Sequence, residues 1–125
     1  MKKEIQAAHP PALCAAFHAA VELIGRKWTG AIIFLLLRSR LRFAALRDAI
    51  PDITDRMLSE RLQELEQNGI VERKVLPDPP VRVEYSLTEK GRALAGAVDA
   101  ISDWAHDWSA PPTAKDEAHR KTRAR

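Results

Sequence analysis

"TDRMLSERLQELEQNGIVERKVL", residues 54–76, changes period halfway along. In its first half Leu58, Leu62 and Leu65 recur at spacings of four and three, one face of a helix. Thr54 precedes them with a hydroxyl that can accept from a first-turn amide, and Asp55 complements the helix dipole. Gly69 supplies a stop. Beyond it Val71, Arg73 and Val75 alternate with Glu72 and Lys74, the period of a half-buried strand. A polar-faced helix that ends on glycine and runs directly into a strand constrains what can flank it.

Working outward, "PDPP" at 77–80 reads as a rigid turn, and Val81, Val83 and Tyr85 alternate as a second strand, closing a hairpin. Thr88-Glu89 opens a last helix whose apolar face runs Leu94, Val98, Ile101, Trp104/Ala105 and Trp108 before Pro111-Pro112. Upstream, Phe43–Ile50 forms a short helix with Phe43, Leu46 and Ile50 inward, ended by Pro51. Arg38–Arg42 is a polar connection. Thr29–Leu37 is apolar nearly all round and reads as a central buried helix. A first helix starts near Ala12, after Pro10-Pro11, with Phe17, Val21, Ile24 and Trp28 on one face and an interruption at Gly25. The fold class is mainly α with a small β-hairpin (α+β). A short helix, a proline-containing turn, a second helix and a hairpin make a winged helix-turn-helix. The organisation expected is a flexible segment at 1–11, one domain at 12–110 and a basic disordered tail at 111–125.

The chain's 125 residues, 46% hydrophobic, suffice for one core. The longest apolar run, Ala31–Leu37, is too short to cross a bilayer, and "MKKEIQAAHPPALC" has no apolar signal-peptide core, so a cytoplasmic protein without membrane contact is expected. A single cysteine, Cys14, excludes an intrachain disulfide and an all-cysteine metal site. His9, His18, His106 and His119 pair with no cysteine or carboxylate at a metal spacing, so neither metal nor cofactor is expected. There is no glycine-rich phosphate loop and no nucleophile motif, which argues against an enzyme. Net charge is +3, all of it accounted for by residues 113–125, where five basic residues face two acidic ones. The rest is neutral but uneven. From Arg26 to Arg47 six basic residues occur with no acid, whereas 99–107 carries three acids and no Lys or Arg.

"ELIGRKW" (22–28), "RFAALRDAIPDITDRMLSERLQELEQNGIVER" (42–73), "PVRVEYSLTEKG" (80–91) and "WAHDW" (104–108) resemble the HxlR-type winged helix regulators, bacterial transcription factors of MarR-like architecture. The resemblance runs from Cys14 to Trp108. It implies the fold, binding to double-stranded DNA, and a homodimer built by the first and last helices, which assigns Phe17, Val21, Ile101, Trp104 and Trp108 to that interface. A subgroup of the family senses oxidants or electrophiles through a cysteine near the start of the first helix, where Cys14 stands. A second cysteine as disulfide partner, present in some members, is absent here.

With Leu58, Leu62 and Leu65 buried, the opposite face of their helix presents Asp55, Arg56, Ser59, Glu60 and Gln63 behind Thr54. Such a face can read a major groove: Arg56 can pair with guanine O6/N7, Gln63 with adenine, Ser59 with bases or phosphates. Asp55 and Glu60 face a polyanion, and either accept from cytosine N4 or hold Arg56. Lys27, Arg40 and Arg42, with Lys74 and Arg82 flanking the proline turn, are the expected phosphate and wing contacts. Cys14 in a first helical turn has two readings, a thiolate-prone sensor that takes an electrophile, oxidant or small thiol, or a small apolar residue at a dimer interface. The combined expectation is a sequence-specific homodimeric regulator on a palindromic operator, acting as a repressor by occlusion. The alternative is a winged helix protein-interaction module without DNA binding.

Overall fold

The computed structural model describes residues 12–109, so the expected flexible segment at 1–11 and basic tail at 111–125 lie outside the described residues. The elements are α1 (Ala15–Ile24), α2 (Thr29–Leu36), β1 (Leu41–Arg42), α3 (Phe43–Ala49), α4 (Asp55–Gln67), β2 (Val71–Leu76), β3 (Arg82–Leu87), α5 (Glu89–Arg92) and α6 (Ala95–Trp108). They form two compact units that divide between Ala93 and Leu94.

The core of the first unit takes Ile32, Ile33 and Leu36 from α2, Leu46 from α3, Ile50 and Ile53 from the following turn, and Leu58, Leu62 and Leu65 from α4. Ile70, Val71 and Leu87 close it from the sheet side. Helix α2 is one-sided rather than buried all round, because Gly30 and Ala31 face solvent. Phe43 is half-buried beside the fully buried Leu46. Between α3 and α4 the chain turns through Pro51-Asp52-Ile53, with Asp52 in the left-handed region at φ 70°. Aspartate tolerates that conformation better than most residues.

The expected two-stranded hairpin is a three-stranded antiparallel sheet of order β1-β3-β2. Arg38–Arg42 is not connection throughout, since Leu41 pairs with Tyr85 and Arg42 with Glu84. In the hairpin Val71 faces Leu87 and Leu76 faces Arg82. The half-buried reading of β2 holds only at its start: Val71 is buried, but Arg73 and Val75 are exposed. β2 is an edge strand, and only its start lies over the helices that could cover it.

Gly69, at φ 73°, ends α4 and turns the chain into β2. That corner is tied down by the chain leaving β3 at the same end of the sheet, where Leu87 faces Val71. The Thr88 hydroxyl donates to the Gly69 carbonyl at 2.6 Å and accepts from Gly91 N at 3.1 Å, and Lys90 Nζ donates to the Asn68 carbonyl at 2.9 Å. The last helix expected from Thr88 to Trp108 is two helices. Gly91 packs onto the Ile70 carbonyl and holds the four-residue α5, which Ala93 caps at its C-terminus; α6 starts anew after Leu94.

Candidate nucleic-acid interface

Helix α4 is built to expose one polar face. Thr54 caps it, its Oγ1 accepting from Met57 N at 3.1 Å, and Asp55 sits in the first turn. Burial of Leu58, Leu62 and Leu65 turns Asp55, Arg56, Ser59, Glu60 and Gln63 to solvent with Thr54, so the six candidate reading residues do share one surface. They are not free of one another. Arg56 Nε lies 3.1 Å from Glu60 Oε2, although the Arg56 side chain remains 89% exposed. Arg47 of α3 reaches across the turn to Asp55 Oδ1 at 3.4 Å and also lies 3.4 Å from Asp48 Oδ1. Its hydrogen bond to Asp55 and the charge of that carboxylate, then those of Asp48, raise the Arg47 pKa above its ordinary value. Exposed pairs of this kind contribute about 0–1 kcal/mol each, so a phosphate or base can displace them.

The sheet gathers the candidate backbone contacts. Arg42 and Lys74 both lie directly across from Glu84, one on each neighbouring strand, and so share its face. Arg82, two residues before Glu84 on β3, belongs to that face too, and Arg40 Nη1 approaches Glu84 Oε1 to 4.0 Å. Four cations therefore gather on the face of one carboxylate, of which Arg40 alone comes within 4.0 Å of it. They are not equivalent: Arg42 and Lys74 are exposed, whereas Arg82 is half-buried with its Nε out of solvent and unpartnered.

Lys27 stands apart. It precedes Trp28, which occupies the N-cap of α2 in the left-handed region, and its Nζ rests 4.9 Å from the Trp28 ring centroid. The Thr29 amide already donates to the Arg26 carbonyl, so that first-turn donor is not open to a phosphate shared with Lys27. Cys14 is the N-cap of α1, not a residue of its first turn, and it is exposed. On α1, Phe17 and Val21 leave 62% and 50% of their surface open, and Leu13 continues the row. On α6, Ile101, Trp104 and Trp108 are likewise exposed, Trp108 at 75%. Each helix thus carries an uncovered apolar stripe, and neither helix contains a buried residue. Among the described residues no cluster of His, Cys, Asp or Glu could hold a metal, and no helix is long and apolar enough to cross a membrane.

Three arginines escaped the sequence reading. Arg47 was counted in the basic stretch but given no place. Arg61 is only 8% exposed, its Nε donating to the Lys27 carbonyl at 3.0 Å, and Arg26 Nη1 meets Glu64 Oε2 at 2.8 Å. The helical spacing held the signal for Arg61, which falls three residues after Leu58 and four before Leu65, on the inward side.

Comparison with known proteins agrees with this geometry. The family model described as HxlR-like helix-turn-helix matches residues 23–113. The HTH-type transcriptional regulators YvaP and YodB of Bacillus subtilis are each 46% identical over 99 residues, covering 79% of this chain and 92% and 88% of theirs. Among solved structures, the reduced form of YodB superposes with a TM-score of 0.73 at 44% identity, over 82% of this chain and all of that one. YodB is also known in diamide-treated and quinone-bound forms. The redox regulator HypR in its reduced form gives 0.71 at 39% identity, over 74% of this chain and 92% of that one. With a capped polar helix after a proline turn, a basic-sided wing and these relatives, the chain belongs to the HxlR-like helix-turn-helix family of transcriptional regulators.

Proposed function

We propose that this protein is a sequence-specific DNA-binding transcriptional regulator that works as a homodimer on a palindromic operator and represses by occluding a promoter. The observation that carries the reading is the outer face of α4, where Arg56, Ser59 and Gln63 project from a capped helix beside a short helix and a wing. Arg56 reads guanine after exchanging Glu60 for the base edge, and Gln63 reads adenine. Asp55 and Glu60 hold arginines until DNA arrives. Arg40, Arg42 and Lys74 meet phosphates, with Arg82 in support and Lys27 at the far end of the basic stretch. The apolar stripes Phe17/Val21 and Ile101/Trp104/Trp108 are the surfaces that a second copy covers, and two-fold symmetry then places two α4 helices about 34–36 Å apart on one side of the duplex. Cys14, exposed at the start of α1, is the candidate responder to an oxidant, an electrophile or a small thiol. The quinone-bound and diamide-treated forms of YodB, and the description of HypR as a redox regulator, support that choice.

The deciding experiment is a fluorescence-anisotropy titration of reduced protein against the DNA flanking its own gene and against a scrambled duplex at the same salt. A preference of about a hundredfold or more is expected, within the range by which specific exceeds non-specific binding. No binding to either duplex at low salt would overturn the reading in favour of a protein-interaction module. Repeating the titration after stoichiometric modification by diamide tests Cys14; unaltered affinity would make it structural.

A further inference from the structure

The turn between α1 and α2, Gly25 to Trp28, makes contacts within the protein that its one proposed DNA contact, Lys27, does not explain. Its backbone is strained at Trp28, φ 79°. The amides around it are spoken for: Thr29 N donates to the Arg26 carbonyl at 3.0 Å, and Ile32 N to the Trp28 carbonyl at 3.1 Å. The carbonyl between those two acceptors, that of Lys27, is passed over, and Arg61 of α4 supplies its donor through Nε at 3.0 Å. One residue earlier, Arg26 sends Nη1 back to Glu64 Oε2 at 2.8 Å. Arg61 and Glu64 are three residues apart and so occupy one edge of α4. Two charge-assisted contacts therefore join two consecutive turn residues to the helix that carries the reading face, one guanidinium reaching in each direction.

This arrangement does something the leucine stripe cannot. Apolar contact is non-directional and holds α4 against the core without fixing its rotation tightly. Two directional contacts about 4.5 Å apart along the axis, from a rise of 1.5 Å per residue, fix that rotation. At a side-chain radius of about 5–6 Å, a rotation of roughly 10° moves the outer groups by about 1 Å, enough to spoil a bidentate hydrogen bond. We propose that Arg61, Arg26 and Glu64 are positioning residues for DNA reading: they lock α4 to the turn that follows α1, and so aim Arg56, Ser59 and Gln63. The inference rests on the assignment of α4 to DNA made above.

The test is a charge swap in the full chain. The probe is a duplex enriched by the wild-type protein from a randomised pool, and the readout is the ratio of its affinity to that of a scrambled duplex. Arg26→Glu and Glu64→Arg alone should each lower the ratio by about tenfold, and the double swap should return it to within about threefold of wild type, the non-additivity of directly interacting groups. The ratio discounts the general gain or loss of DNA affinity that a changed charge brings. Arg61→Met should lower the ratio similarly; because that residue is buried and the variant could fail to fold, the swap carries the test. Additive losses in the double swap, or single variants that melt earlier yet keep the wild-type ratio, would overturn the positioning role and leave the DNA assignment standing. A wild-type protein that enriches no duplex would overturn both.

Discussion

Glycine shows most sharply how single residues are constrained here. A Cβ at Gly91 would overlap the Ile70 carbonyl oxygen and come within 3.0 Å of Leu87 Cδ2, whereas one at Gly96 would meet nothing within 4 Å. Gly91→Ala should therefore destabilise the protein by about 1–3 kcal/mol, as overpacking does. Gly96→Ala, in the exposed helix α6, should be neutral or stabilise by about 0.5–1 kcal/mol through chain entropy. Urea midpoints of the two variants check the contrast, and equal effects would mean that α5 can move off Ile70. The same scale explains why the sequence reading passed over Arg61. Its charge argued for the surface, while its spacing within the leucine stripe argued for the interior. The spacing prevailed because the Lys27 carbonyl needed a donor that the α2 ladder does not provide.

Among elements, α4 carries the heaviest claim. Arg56→Ala should reduce affinity for the preferred duplex by about 1–3 kcal/mol, the worth of one bidentate base contact, and leave scrambled DNA nearly unaffected. Equal losses on both duplexes, measured by anisotropy, would remove Arg56 from base reading. The sheet makes a different prediction. Arg42→Ala should reduce the slope of log K against log salt by about one, the signature of a lost phosphate contact. An unchanged slope would take Arg42 off the phosphate. Helix α4, its cap, its glycine stop and both hairpin strands were legible because period and punctuation coincide over residues 54–87. Strand β1 was not, since two residues cannot display alternation and their pairing depends on Tyr85 and Glu84 more than forty positions away. The burial of β2 was only partly legible for a related reason: alternation says which residues share a face, not whether anything covers it. The gap between α5 and α6 was hidden because an unbroken helical period continues across Ala93-Leu94. The exposed face of α4 was legible as a set, but its internal ion pairs were only partly anticipated. Glu60 was seen as a holder of Arg56, whereas the Arg47–Asp55 pair depends on a turn geometry that sequence does not spell out.

For the whole molecule, the uncovered stripes on α1 and α6 dominate. Trp104→Asp and Phe17→Asp, tested separately by sedimentation equilibrium at micromolar concentration, should each shift the mass toward the 14.0 kDa of one chain, with helical content retained. A wild-type chain that is monomeric, or variants that associate as it does, would leave those stripes without the partner proposed for them. The carboxylates of Asp55 and Glu60, described above as holders of arginines, have a further consequence if α4 reads DNA as proposed, since such a regulator searches for one site among roughly a million or more competitors. Each duplex would first have to displace them, and only one that offers the matching base edges would recover what that displacement costs. Visits to arbitrary DNA would be shortened, and time otherwise lost in unproductive residence would go to scanning. On that reading negative charge on the helix, a defect when affinity alone is considered, becomes an advantage in the speed of the search.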